Sequence, residues 1–287
     1  MSDAPDPVAP LRPRPWGRMR GVTASGTGRI DTRSVPRAFD DHAASYDRLV
    51  GANPGYHDHL RLSAQRMGLP EGGRGLRLLD LGCGTGASTA ALLEVAPEAE
   101  IIAVDASVEM LNAARAKSWP DTVTFLHGNA MNLAAAGVTG SFDGILAAYL
   151  LRNLPAPDIA LRQFHNFLKP GAPLAVHDYS VRDSARARRI WTLVCWTIII
   201  PMGRLRTGSS GLYRYLWRSV LQFDGVKRLA QRLRDAGFVD VRCQTVGGWQ
   251  QEIVHTVLGR RAPEPEFAPI PPALAELETP PVGLPRS

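Results

Sequence analysis

Asp80, Gly82, Gly84 and Gly86 occupy alternate positions in the run Leu78-Leu79-Asp80-Leu81-Gly82-Cys83-Gly84-Thr85-Gly86, and Asp105 closes the next apolar run, Ile101-Ile102-Ala103-Val104-Asp105. Glycines at this density let a backbone approach a ligand closely. A turn that empties onto a helix N-terminus also presents free N–H groups to an anion such as a carboxylate or phosphate. A carboxylate at the end of the following strand can accept both hydroxyls of a ribose, as the acidic residue about 20 positions on does in dinucleotide folds. Together these residues describe a nucleoside site. To hold them in one place the chain needs a strand ending at Leu81, a tight turn, an Ala-rich helix over 87–95 and a second strand ending at Asp105. The glycine spacing is G-x-G-x-G rather than the G-x-G-x-x-G of dinucleotide sites, which argues against NAD or FAD.

The elements that follow repeat this alternation. A helix runs from Ser107, an N-cap with Glu109 behind it, to Lys117. Strands are expected over 123–126, 142–148 and 173–176, with a helix over 161–168 between the last two. After a long insertion come a helix over 226–236 closed by Gly237 and two final strands, 239–246 and 252–258. This order predicts an α/β fold, a doubly wound, seven-stranded, mostly parallel sheet with helices on both faces. The loops at the strand C-termini of such a sheet line one crevice, so Gly128-Asn129-Ala130 falls beside Gly82 and Asp105, with Asn129 placed to hydrogen-bond an adenine edge. Two helices precede the sheet, 38–47 carrying Tyr46-Asp47 and 57–67 carrying His57 and His59. Those histidines fall on different helix faces and do not form a metal pair.

The run LLDLGCGTGAST over 78–89 resembles the first motif of class I S-adenosylmethionine-dependent methyltransferases. A longer run, AAYLLRNLPAPDIALRQFHNFLKPGAPLAVHDYS over 147–180, is similar to the quinone C-methyltransferases of ubiquinone and menaquinone biosynthesis. The similarity rests on Leu151-Arg152-Asn153, Leu168-Lys169-Pro170-Gly171 and Asp178-Tyr179-Ser180, then on Pro201, Gly203, Tyr213-Arg214-Tyr215-Leu216, Ser219 and Phe223 in the insertion. It covers about residues 38–261. The resemblance implies a Rossmann-like class I methyltransferase fold, S-adenosylmethionine as cofactor with no metal, and methyl transfer to a ring carbon of a prenylated, demethylmenaquinol-like quinol. It carries cofactor contacts onto Thr89, Asp105, Asn129 and Ala130 beside Asp80 and the three glycines, and it makes Tyr46 a residue that closes over the cofactor. Ala148 stands where some members use a serine, and Trp217 where the family usually has proline.

Methyl transfer from a sulfonium is an in-line displacement, so a protein contributes mainly by aligning donor and acceptor and excluding water. A ring carbon becomes nucleophilic when its neighbouring hydroxyl loses a proton, which calls for a general base or an environment that favours the phenolate. The ends of strands four and five offer His177 or Asp178 as that base and Arg152 as an electrostatic partner. Tyr149, Asn153 and Tyr179, with Tyr213 and Tyr215 from the insertion, are expected around the acceptor.

The totals bound the rest. Five of the 23 prolines lie in 1–16 and eight in 262–287, so 1–34 and 262–287 read as disordered tails around a methyltransferase domain over 35–261. The formal net charge of +6 is local: residues 182–206 hold six Arg against one Asp, and the remainder of the core is balanced. One basic patch beside an apolar run argues against nucleic acid and for a membrane surface or an anionic group. The segment 182–224 therefore reads as a helical substrate lid whose part 186–206 touches lipid peripherally. Three scattered cysteines, Cys83, Cys195 and Cys243, form neither a disulfide framework nor a metal site. With no apolar stretch of signal or membrane-spanning length, the expected location is cytoplasmic, at the inner face of the membrane where the lid meets lipid. Two other functions fit the same cofactor half: an O- or N-methyltransferase of a small secondary metabolite, and a non-catalytic S-adenosylmethionine-binding interaction protein.

Overall fold

The computed structural model describes residues 55–207 and 210–263. The tail 1–34, the helix expected over 38–47 with its Tyr46, and the chain from 264 onward lie outside the described residues.

Seven strands form one sheet: β1 (Arg77–Leu81), β2 (Glu100–Asp105), β3 (Val123–His127), β4 (Gly144–Ala148), β5 (Pro173–Tyr179), β6 (Phe238–Thr245) and β7 (Val254–Arg261). Their spatial order is β3-β2-β1-β4-β5-β7-β6, with β7 antiparallel to both its neighbours and the other pairings parallel. Strands covered on both faces must be apolar throughout, and β4 (Gly-Ile-Leu-Ala-Ala) is buried at every position. The edge strand β6 alternates poorly and is mostly exposed, as an unpaired edge requires.

The helices are α1 (Tyr56–Gln65), α2 (Ala87–Val95), α3 (Val108–Arg115), α4 (Pro157–Phe167), α5 (Ala185–Val194), α6 (Ile200–Thr207), α7 (Gly211–Gln222) and α8 (Val226–Asp235). Because side chains alternate across a strand, Leu79, Val104, Ile145 and Val176 pack against α4 and α8, while Leu78, Ile101, Leu146 and Ala175 pack against α1 and α2. A further core joins Tyr179, Trp191, Cys195, Tyr213 and Val220 under α5 and α7, so the insertion has an apolar floor of its own. Chain order reverses between β1 and β4, and a crevice opens outside the strand C-termini at that switch point.

Two expected boundaries move. The fourth strand begins at Gly144 rather than Phe142, because Asp143 turns its carboxylate to the Arg77 amide and the Lys169 ammonium. Phe142 keeps a lone bridge to Leu168 and buries its ring in the core. The last strand starts at Val254 rather than Glu252, whose φ of 63° places it in a turn. The insertion is not one helix: a single π turn, Cys195–Ile199, separates α5 from α6.

Phe164 lies on α4 with no exposed surface, among the β4 and β5 side chains. Phe164→Ala is expected to cost about 3–5 kcal/mol, transfer plus cavity, read as a lower urea midpoint at unchanged slope.

Candidate active site

The crevice holds a cavity of about 330 Å³ bordered by the turn after β1, the ends of β2 and β4, and α1. Gly82, Cys83, Gly84, Asp105, Asn129 and Ala130 line one part; Tyr56, Leu60, Tyr149, Asn153, Leu154 and Pro155 line the other.

The turn is held from two sides. The Gly84 amide donates to Asp105 Oδ2 at 2.8 Å, and Asp105 Oδ1 accepts the Ser107 amide at 2.8 Å. Ser107 in turn caps α3 by accepting from the Met110 amide at 3.1 Å. Below the turn, Asp80 Oδ2 accepts the hydroxyls of Ser88 and Thr89 at 2.8 and 2.7 Å. Burial pushes the Asp80 carboxyl up to about 7, partly offset by those two hydroxyls.

The glycines serve different ends. Gly84, at φ 55°, borders the cavity with nothing within 4 Å of where a Cβ would stand, so a side chain there would project into the crevice. Gly86, at φ 91°, is off the cavity wall; a Cβ on it would lie 2.6 Å from the Trp119 ring. Of the cofactor residues expected from sequence, Gly82, Gly84, Asp105, Asn129 and Ala130 therefore meet at the cavity. Asp80, Gly86 and Thr89 stand behind it as bracing, and Tyr46 lies outside the described residues.

The other wall is built around Tyr149. It follows β4 at φ 55°, a left-handed conformation rare for a bulky residue. Its amide donates to His177 O at 2.7 Å, and its carbonyl accepts from Asn153 Nδ2 at 3.0 Å. Asn153 Oδ1 accepts the Tyr215 hydroxyl at 2.9 Å, which ties α7 to the cavity wall. Tyr149 stacks between Tyr56 and Tyr179, with centroids 5.4 and 5.0 Å away, and Tyr179 continues onto Trp191 at 4.9 Å. Tyr213 is buried beneath Gly203, where a Cβ would strike its ring, and does not reach the cavity.

His177 and Asp178 are adjacent on β5, so they face opposite sides of the sheet, and neither lines the cavity. Arg66 Nη1 donates to Thr256 Oγ1 at 2.9 Å, and Thr256 Oγ1 lies 3.0 Å from His177 Nδ1. His177 Nε2 lies 3.3 Å from the Tyr149 hydroxyl, so the ring bridges Thr256 and Tyr149 in either tautomer. Burial, then the positive charge of His59, Arg66 and His255, lowers His177 to about 3. Fully buried and off the cavity wall, His177 holds Tyr149 through its ring and its backbone carbonyl, and the structure does not bring it to the cavity where a base would act.

Asp178 makes a short ion pair with Arg152, and its Oδ1 also accepts the Tyr179 amide at 2.8 Å. Both side chains are almost fully buried. Burial raises the Asp178 carboxyl above its ordinary value despite Arg152. Burial works against the Arg152 charge too, and the Asp178 carboxylate more than offsets it. Arg152 Nε reaches Ser219 on α7 at 3.4 Å, so the pair joins β5, the Leu151–Asn153 turn and the insertion instead of facing an acceptor. Sequence reasoning passed over Tyr56 and Leu60. The Asn53-Pro54-Gly55 turn signal, which opens α1 at Tyr56, was the available clue.

Comparison with known proteins adds independent findings. The profile of the ubiE/COQ5 methyltransferase family matches residues 28–256. The chain is 35% identical over 184 residues to a ubiquinone/menaquinone biosynthesis C-methyltransferase UbiE of Bradyrhizobium diazoefficiens, covering 62% of this chain and 72% of that one. It is 32% identical over 211 residues to a demethylmenaquinone methyltransferase of Geobacillus kaustophilus, covering 72% and 89%. Among solved structures, Haemonchus contortus phosphoethanolamine N-methyltransferase 2 in complex with S-adenosyl-L-methionine shares the fold, with TM-score 0.57 and 16% identity over 83% of this chain and 61% of that one.

His177 and His255, the latter lowered to about 4 by burial and Arg66, stay neutral in the folded chain where the unfolded chain protonates. Their contribution is present above about pH 6.5 and is lost as pH falls toward those folded values. Between pH 4.5 and 6, His177→Asn is expected to flatten the acid-side fall in urea stability by about one proton, about 1.4 kcal/mol per pH unit. An unchanged slope would place a charged His177 in the folded state.

Proposed function

Because the chain belongs to the ubiE/COQ5 methyltransferase family and is an S-adenosylmethionine-dependent methyltransferase, we propose that its acceptor is a ring carbon of a prenylated quinol of the demethylmenaquinol type. The observation that carries this reading is one continuous cavity, polar where the glycine turn and Asp105 border it and aromatic or apolar along Tyr56, Tyr149, Leu154 and Pro155. S-adenosylmethionine, when bound, supplies a methyl group on a positively charged sulfur.

The donor set fits that cofactor. Gly84 leaves room at the backbone, and Asp105 borders the cavity with a carboxylate that would accept ribose hydroxyls. Asn129 and Ala130 border the same part of the cavity and would flank the adenine. On the acceptor side, Leu150, Leu154 and Pro155 exclude water, and the Tyr149 column supplies a rigid wall that fixes where a planar ring lies.

The acceptor proton is handled by environment in this reading. Among the described residues, the titratable groups on the wall are Tyr56, Cys83, Asp105 and Tyr149. Burial holds the Cys83 thiol and the Tyr149 phenol protonated well above their ordinary values, and Asp105 is committed to two amides. In this reading the quinol hydroxyl gives its proton to solvent, the ring proton displaced by the methyl returns to that oxygen as the ring rearomatises, and Arg152, Asp178 and His177 act by holding Asn153 and Tyr149 in place.

The test is transfer of isotopically labelled methyl from S-adenosylmethionine to a chemically reduced, prenylated demethylmenaquinone, with the methyl located by NMR. Label is expected on the ring carbon. Label on oxygen would overturn the ring-carbon reading. No label on this acceptor, with transfer to a small metabolite, would point to the O- or N-methyltransferase alternative.

A further inference from the structure

We propose that α5, the π turn and α6 form a docking surface for an anionic lipid bilayer. Nine large apolar side chains are exposed among the described residues, and five of them, Leu193, Trp196, Ile198, Met202 and Leu205, fall within 193–205. Leu193 is 63% exposed and Leu205 87%. Singly exposed apolar residues need no explanation, but a concentration in one helical segment marks an interaction site.

The π turn is what gathers them. A π turn adds one residue to the helical repeat, so the row that runs Arg186, Arg189, Leu193 continues in Ile198, Met202 and Leu205, where an uninterrupted α-helix would have continued it in Thr197. These side chains then share one stripe, roughly a third of the circumference. Ala187, Trp191 and Cys195 occupy the opposite side and are buried in the core under α7. Without the extra residue the exposed row would turn into that core.

Charge says what covers the stripe. From Ser184 to Phe223 the chain has seven arginines and no aspartate, glutamate or lysine. Arg186, Arg188, Arg189, Arg204, Arg214 and Arg218 are exposed. An apolar stripe between arginine clusters matches a surface that is negative at its headgroups and apolar beneath, and arginine stems extend along the apolar side while their heads stay at the phosphates. The contact is interfacial, since no helix of the described residues is long and apolar enough to cross a membrane. Through Tyr215 and Asn153, α7 connects this face to the cavity wall. The surface itself does not depend on which acceptor the enzyme uses.

Cosedimentation of the full chain with vesicles tests the proposal without any methyl transfer. At about 50 mM salt, vesicles of equal phosphatidylcholine and phosphatidylglycerol are expected to bind at least about tenfold more tightly than phosphatidylcholine alone, and about 300 mM salt is expected to remove most of that difference. Ile198→Glu with Leu205→Glu is expected to weaken binding at least about tenfold. Arg186→Gln with Arg189→Gln should lower the salt dependence, and both variants should keep the wild-type affinity for S-adenosylhomocysteine. Three outcomes would overturn the proposal: binding unaffected by either pair of substitutions, equal binding to neutral vesicles, or no binding to the anionic vesicles at low salt. The last would follow if a second copy, or the glutamates of 264–287, covered the stripe.

Discussion

The turn after β1 closes because the Gly84 amide finds the carboxylate of Asp105 at 2.8 Å, and the same carboxylate takes the Ser107 amide that opens α3. A parallel sheet leaves its strand ends without hairpin partners, so three loops from different strands have to be fixed to one another by such contacts. Asp105 joins two of these loops at the switch point and borders the cavity. Asp80, whose Oδ1 has no hydrogen-bond partner among the described residues, braces the turn from below through Ser88 and Thr89. The glycine loop is thus rigid before any ligand arrives, which lowers the ordering cost of binding.

The Tyr149 wall of the cavity is held by different means. Tyr149 sits in a strained left-handed conformation, and its neighbours over-determine it: the His177 carbonyl, the Asn153 amide, the His177 ring and two flanking aromatic rings. Arg66, Thr256 and His177 form a hydrogen-bonded line from the far sheet edge to the Tyr149 hydroxyl, and Arg152 with Asp178 does the same for the insertion through Ser219. A buried ion pair of this kind adds little net stability, but one partner without the other would leave an uncompensated charge, so it fixes one arrangement of the insertion against the sheet.

The fold was legible in the sequence because it rests on pattern. Strand-length apolar runs, a glycine turn and helix caps each act locally, and all seven strands fall within a few residues of where periodicity puts them. The cavity residues Gly82, Gly84, Asp105 and Asn129 were legible for the same reason, since strand ends share one edge. The placement of His177 and Asp178 off the cavity wall was not, because a one-residue step on a strand reverses the face and nothing local reports Arg66 or Thr256, which arrive from distant segments. Gly86 resembled a ligand contact by spacing but is a packing residue for Trp119, a contact that no spacing encodes. The π turn has no local signal either; Trp191 and Cys195, before and within it, are buried in the core beneath α7.

Calorimetric titration of the full chain with S-adenosylhomocysteine, comparing wild type with Asp105→Asn, tests the central claim most directly. Loss of the charge and of one acceptor, with side-chain shape retained, should weaken binding at least about tenfold, the scale of a hydrogen bond to a charged group. Wild-type affinity in the variant would mean that the ligand does not use this carboxylate, and the site would have to be sought elsewhere in the crevice.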